Sequence, residues 1–207
     1  MLTEARLYAI LDLDYVAPPN AECVCRELVA GGAQVVQLRA KKHVPETLVS
    51  LARNVQEICR EAGVPFIVND FAELAATVGA DGLHVGQDDL SVSEARRISR
   101  CRIVGKSTHS LAQARAAMAE KPDYIGFGPL FATPTKPDYI AIGLEDVGEV
   151  HEIATAPVFC IGGVKRHNLD AVLDAGAKRV VVVSGLLCAS DVAEECRWYR
   201  ANVTPLL

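Results

Sequence analysis

Gln37, Arg39 and Lys41 fall at every second position of the stretch QVVQLRAKK, residues 34–42, with Leu38 and Ala40 between them. Side chains alternate along a strand, so these three polar groups share one face of a segment that opens with the apolar pair Val35 and Val36. A guanidinium grips phosphate oxygens through two parallel hydrogen bonds, and an ammonium adds a compact charge. The set suits an anionic ligand. Other apolar stretches also turn polar as they end. IVND supplies Asn69 and Asp70; LHVGQDD supplies His84, Gln87, Asp88 and Asp89; GKSTH supplies Lys106, Ser107 and His109; GPLFATPTK leads to Thr133, Thr135 and Lys136. Two aspartates from neighbouring strands can share Mg2+, a hard cation that takes oxygen ligands together with substrate phosphates. The stretches IGG and VVSG offer bare amides of the kind that cup a phosphate. A metal pair with two anion-binding regions points to two substrates, one of them a diphosphate.

These residues need a scaffold that gathers strand ends. Eight short apolar segments recur: RLYAILD, QVVQLRA, PFIVND, DGLHVG, RIVGKS, DYIGFGPL, PVFCIGG and RVVVVSG. Amphipathic stretches lie between them. In PETLVSLARNVQEICREAG, Leu48, Leu51, Val55 and Ile58 share a helical face. Gly63, Gly79 and Gly176 stand where helices should end. The alternation predicts a (β/α)8 (TIM) barrel built as one domain over residues 1–207. An open doubly wound sheet is the alternative, but LDLDYVAPPN stands where its glycine-rich turn would follow the first strand. In a barrel, ligands bind at the C-terminal strand ends, which places Gln37, Arg39 and Lys41 facing inward at the mouth. Asp88 reads as a helix-start residue, since DDLSVSEA leads into a helix whose first turn favours acids. Cys160 reads as core.

Composition narrows the class further. The 207 residues are half hydrophobic and carry a formal net charge of −5, against a general nucleic-acid binder. No run is long enough to span a membrane, and MLTEARLYAILDLD lacks the pattern of a signal peptide. Seven cysteines in such a chain read as reduced, mostly packing residues of a cytoplasmic protein. CVC at residues 23–25 has no second pair to complete a zinc site.

Taken in order, QLRAK, IVND, ADGLHVGQDD, GKSTH, GFGPLFATPTK, IGG and VVS resemble the motif series of the thiamine phosphate synthase family, from the second strand to the eighth. The resemblance implies a barrel enzyme, a transferase that joins a hydroxymethylpyrimidine diphosphate to a thiazole phosphate and releases pyrophosphate. By matching motif, Gln37, Leu38, Arg39, Ala40, Lys41, Asn69, Ser107 and Lys136 would hold the pyrimidine diphosphate. Asp70 and Asp89 would ligate Mg2+, and Thr133, Pro134, Thr135, Gly163, Val183 and Ser184 would hold the thiazole phosphate. The implied reaction is dissociative, with Arg39, Lys136 and Ser107 as its catalytic groups. The partners implied are small phosphorylated molecules, with no nucleic acid and no membrane; the oligomeric state stays open. TPTKPD reads as a lid. One departure stands out: Gly185 follows Ser184, where alanine is more usual in the family. The related thiazole tautomerases often carry glycine there, with a histidine in a stretch like STHS. A tautomerase, or a non-catalytic thiazole-phosphate sensor, therefore stays as a rival reading, though neither needs the diphosphate and metal apparatus.

Overall fold

Strands buried on both faces call for a parallel sheet covered by helices, and that is what the computed structural model of this chain contains. It describes residues 2–133 and 140–203. In chain order these form β1 (Leu7–Asp12), α1 (Ala21–Ala30), β2 (Val35–Arg39), α2 (Val49–Glu61), β3 (Phe66–Asn69), α3 (Ala72–Val78), β4 (Gly82–Val85), α4 (Val92–Ser99), β5 (Ile103–Thr108) and α5 (Leu111–Glu120). There follow β6 (Tyr124–Phe127), α6 (Val147–Ile153), β7 (Val158–Ile161), α7 (Leu169–Asp174), β8 (Val180–Val182), α8 (Ser184–Leu187) and α9 (Val192–Asn202). Each strand pairs in parallel with the next, and β8 returns to β1 to close the barrel. The expected (β/α)8 architecture is therefore present. No helix among the described residues is long and apolar enough to cross a membrane.

The alternation of strand side chains sorts the core into two layers. Tyr8, Ile10, Val35, Ile67, Tyr124, Phe159 and Val181 point inward and fill the barrel as one apolar cluster. Their neighbours Leu7, Leu11, Val36, Leu38, Val68, Leu83 and Val104 point outward and pack with the helices. Register keeps inward residues side by side: Ile10 lies opposite Gln37, Gln37 opposite Ile67, and Asn69 opposite His84. Rings carry the upper part of the interior. Phe159 meets Tyr8 and Tyr124 edge-on, at centroid separations of 5.4 and 5.6 Å. Gly105 makes room for them, because a Cβ added there would lie 2.1 Å from Tyr124 Cζ.

The helix boundaries follow local chemistry. Val55 and Ile58 bury the inner face of α2, while Leu48 sits in a 3-10 turn just before it. Gly63, Gly79 and Gly176 follow helices with φ of 67, 68 and 103°, as their predicted capping role requires. The start of α4 corrects one expectation. Ser91, not Asp88, caps it: Ser91 Oγ accepts the Glu94 N–H, and the Glu94 carboxylate accepts the Ser91 N–H at 3.1 Å. Asp88 is exposed before that turn. All seven cysteines are free and five are buried. Cys160 lies in the outer core, where burial pushes its thiol up to about 12.

Two outcomes follow from this packing. Gly105→Ala should lower unfolding free energy by about 1–3 kcal/mol, the usual cost of overpacking, because Tyr124 is enclosed and cannot swing aside. Urea denaturation measures it; an unchanged midpoint would mean that the ring relocates freely. The second outcome concerns acid. Burial first, then the charges of Lys178 and Arg179, hold His151 at about 4, below its ordinary 6.5. The unfolded chain therefore takes up a proton between about pH 6.5 and pH 4 that the native state refuses, and stability falls as pH drops through that window. His151→Leu should flatten this slope. A variant that loses stability as steeply as the parent would place the acid sensitivity elsewhere.

Candidate active site

A cavity opens at the C-terminal ends of the strands, with about 870 Å3 of atom-free space including its open mouth. Its floor is a chain of hydrogen bonds. Gln37 Nε2 donates to Tyr8 Oη at 2.7 Å, Tyr8 and Tyr124 share a hydrogen bond of 2.9 Å, Tyr124 Oη meets His84 Nδ1 at 2.9 Å, and His84 Nε2 meets Ser107 Oγ at 2.9 Å. Burial raises both phenols above their ordinary pKa, so they stay protonated. Either phenol can donate in the bond between them, and the tautomer of His84 sets which of its ring nitrogens donates. The chain ends at the Ser107 hydroxyl, which lines the cavity.

Strand two supplies the cationic side. Arg39 lies deep in the wall, its Nη1 2.6 Å from Asp12 Oδ2 and 3.6 Å from Asp14 Oδ2. Burial raises the Asp12 carboxyl, more than the Asp14 backbone N–H and the Arg39 guanidinium lower it. Lys41 reaches over the rim, its Nζ 3.1 Å from Asp70 Oδ2. Asp70 adopts φ 62°, a left-handed conformation that short polar side chains tolerate, and its N–H is held by the His84 carbonyl at 2.9 Å. Burial raises its pKa; Lys41 offsets part of that, and the hydrogen-bonded Asp89 carboxylate adds to it. Asp89 Oδ2 also accepts the Gly86 N–H at 2.7 Å. Among the described residues, Asn69 Nδ2 is buried beside the cavity without a hydrogen-bond partner.

The sequence-derived residues therefore divide. Gln37, Arg39, Asn69, Ser107, Thr133, Gly163, Val183 and Ser184 all line the one cavity. Lys41, Asp70 and Asp89 stand together by its rim. Leu38 and Ala40 turn their side chains into the outer core, which leaves only their backbone to the mouth. Pro134, Thr135 and Lys136, and with them the expected lid TPTKPD, lie outside the described residues. Lys106 does not belong to the mouth: alternation along β5 turns it outward, to Glu120 on α5 at 2.7 Å. His84 and His109 both line the cavity, with His109 Nδ1 bonded to the Gly128 carbonyl. Gly185 has a packing reason. A Cβ there would lie 2.7 Å from Val182 Cγ1 and 3.0 Å from Tyr199 Oη.

Sequence reasoning missed Tyr8, Asp12 and Tyr124. Tyr8, Ile10 and Asp12 alternate along β1 just as Gln37 and Arg39 do along β2, and that signal was available in LYAILD. Tyr124 opens β6 and gives no such sign, because its hydroxyl gains meaning only from Tyr8 and His84 across the barrel.

Residues 7–186 match the family described as thiamine monophosphate synthase. The thiamine-phosphate synthase of Chloroflexus aurantiacus is 39% identical over 204 residues, covering 98% of this chain and 94% of the relative. That of Thermus thermophilus is 45% identical over 176 residues, covering 84% of this chain and 85% of the relative. Among solved structures, thiamine phosphate pyrophosphorylase from Pyrococcus furiosus superposes with a TM-score of 0.86 at 31% identity, over 98% of both chains.

The Asp12–Arg39 pair yields a further expectation. Asp12→Ala leaves a buried guanidinium with Asp14 as its remaining carboxylate, and should destabilise the fold by about 3 kcal/mol, the lower end for breaking a buried pair. Chemical denaturation reads this directly. Wild-type stability in Asp12→Ala would show that Asp14 alone neutralises Arg39.

Proposed function

The chain belongs to the thiamine monophosphate synthase family, and on that premise we propose that it joins a hydroxymethylpyrimidine diphosphate to a thiazole phosphate, forming thiamine phosphate and pyrophosphate. One observation carries the reading. One cavity gathers Gln37, Arg39, Asn69 and Ser107 from β2, β3 and β5 with Thr133, Gly163, Val183 and Ser184 from the segments after β6, β7 and β8, a lining suited to two phosphorylated partners.

The chemistry suits these residue types. The bond between the pyrimidine methylene carbon and the diphosphate oxygen breaks first, and its electron pair leaves with the diphosphate. The thiazole nitrogen then donates its lone pair to the carbon. No side-chain nucleophile is needed, and Cys160 could not serve, since it faces the outer core with its thiol raised. Arg39 and Lys41 meet the charge that develops on the leaving oxygens. Ser107, whose hydroxyl lines the cavity, donates to a ring nitrogen of the pyrimidine. The unpartnered Asn69 amide supplies another donor. The matching motif gives Lys136 a place in the same set.

Asp70 and Asp89 are suited to Mg2+. Two adjacent carboxyl groups, Asp70 against the Lys41 ammonium and Asp89 beside it, offer hard oxygen donors, and the remaining coordination of Mg2+ would come from water and phosphate. Bound there, the ion would supply positive charge to the departing diphosphate.

The test is a pyrophosphate-release assay. Product should require both substrates and Mg2+. Interconversion of thiazole tautomers without pyrophosphate release would instead identify a tautomerase. Asp70→Asn and Asp89→Asn should each lower turnover by about 100-fold or more, the scale of removing one preorganised electrostatic group. Their melting temperatures should stay near that of the parent, because both side chains lie at the rim. Near-normal turnover at limiting Mg2+ in either variant would remove that residue from the metal site.

A further inference from the structure

Lys165 was not among the residues that the motifs single out, yet it reaches the glycine-lined side of the cavity. Its Nζ donates to Ser184 Oγ at 3.0 Å, and Ser184 lines the cavity. The turn that carries it is tied down. Asn168 Oδ1 accepts the Lys165 N–H at 2.7 Å, and Asn168 Nδ2 donates to the Gly163 carbonyl at 3.0 Å. Gly163 in turn has φ 70° and no space for a side chain, since a Cβ would lie 2.7 Å from Phe131 Cβ. Asn168 thus locks the lysine and the Gly163 backbone into one unit.

The direction of the Lys165–Ser184 bond matters. An ammonium can only donate, so Ser184 Oγ is the acceptor and its own proton remains to be given. The ammonium has two further N–H groups. The other cations of the mouth are matched by carboxylates, Arg39 by Asp12 and Lys41 by Asp70, whereas among the described residues Lys165 has a neutral hydroxyl. A cation and a hydroxyl, both with protons to give, beside a cavity wall that also presents Gly162 and Gly163, are complementary to a monophosphate.

We propose that Lys165 is a phosphate-binding residue of this cavity, its ammonium and the Ser184 hydroxyl together taking oxygens of the substrate that carries a single phosphate. The inference rests on the two-substrate reading above. It also makes Lys165 a specificity residue, because a thiazole lacking the phosphate would leave the ammonium without an anion.

Two measurements on Lys165→Ala, Lys165→Gln and Lys165→Arg decide it. Inorganic phosphate is titrated calorimetrically into each purified protein, and KM is determined separately for thiazole phosphate and for pyrimidine diphosphate. Lys165→Ala and Lys165→Gln should weaken phosphate binding and raise KM for thiazole phosphate by about 10- to 100-fold, the scale of one charge-assisted hydrogen bond. KM for the pyrimidine diphosphate should stay within about twofold, and Lys165→Arg should recover most of the loss, as a kept charge requires. Unchanged phosphate binding and unchanged KM in Lys165→Ala overturn the proposal, as does an equal rise in KM for both substrates. Phosphate binding that depends on Lys165 in a protein that releases no pyrophosphate supports this site and overturns the two-substrate reading alone.

Discussion

The hydrogen bond between Tyr8 and Tyr124 inside the barrel is the contact on which the site depends. Around it the interior is apolar, with Val35, Ile67 and Phe159. In the cavity, Gln37, Arg39, Asn69, His84 and Ser107 join apolar Ile10, Ile161, Val181 and Val183. Two phenols mark the boundary because each has a ring to pack and a hydroxyl to hand on. An unmet hydroxyl at that depth would cost free energy, so each must find a partner, and the partners available are Gln37 on one side and His84 on the other. Satisfying the two tyrosines therefore ties down the side chains of Gln37 and His84, and through His84 that of Ser107. A packing requirement in the core becomes an orientation requirement at the mouth.

The fold was legible in the sequence because its signals are local. Continuous apolar runs mark parallel strands, and the glycines after helices mark their ends. Where local signals mislead, the reason is also physical. DDLSVSEA carries several possible caps, and only the pairing of Ser91 with Glu94 satisfies two backbone donors at once, which is why it prevails over Asp88. Lys106 illustrates a different limit. A lysine near a strand end reads as a mouth residue, but strand alternation puts Ser107 inside and Lys106 outside, where Glu120 neutralises it. Counting parity along β5 separates the two. The site was legible wherever one strand carries its own polar alternation, as at Gln37 and Arg39. It was not legible at Tyr124 or Lys165, whose partners Tyr8 and Ser184 are 116 and 19 residues away.

The two sides of the cavity solve the problem of charge differently. On the β2 side, cations are stored against carboxylates: Arg39 against Asp12 and Asp14, Lys41 against Asp70. Such pairing keeps a buried guanidinium tolerable in the resting protein. On the proposed two-substrate reading, an arriving diphosphate would compete with those carboxylates for the same donors, and a highly charged ligand competes well. On the glycine side, the proposed binding would rest on backbone amides and on Lys165 with its neutral partner. A ligand with one phosphate carries less charge, and there it would displace no carboxylate.

This asymmetry bears on why the mouth is built on strand ends and the turns directly after them. Arg39 ends β2 and Asn69 ends β3, where sheet hydrogen bonds hold the backbone; Asp70, one residue on, is held by the β4 carbonyl of His84 despite its left-handed conformation. Sites on such elements hold their geometry better than sites on loops. The residues that must face strong charge thus sit on or against the rigid sheet. Those that complete the weaker side, Gly163 and Lys165, sit on a turn after β7, where Asn168 supplies by side-chain bonds the rigidity that the sheet no longer provides.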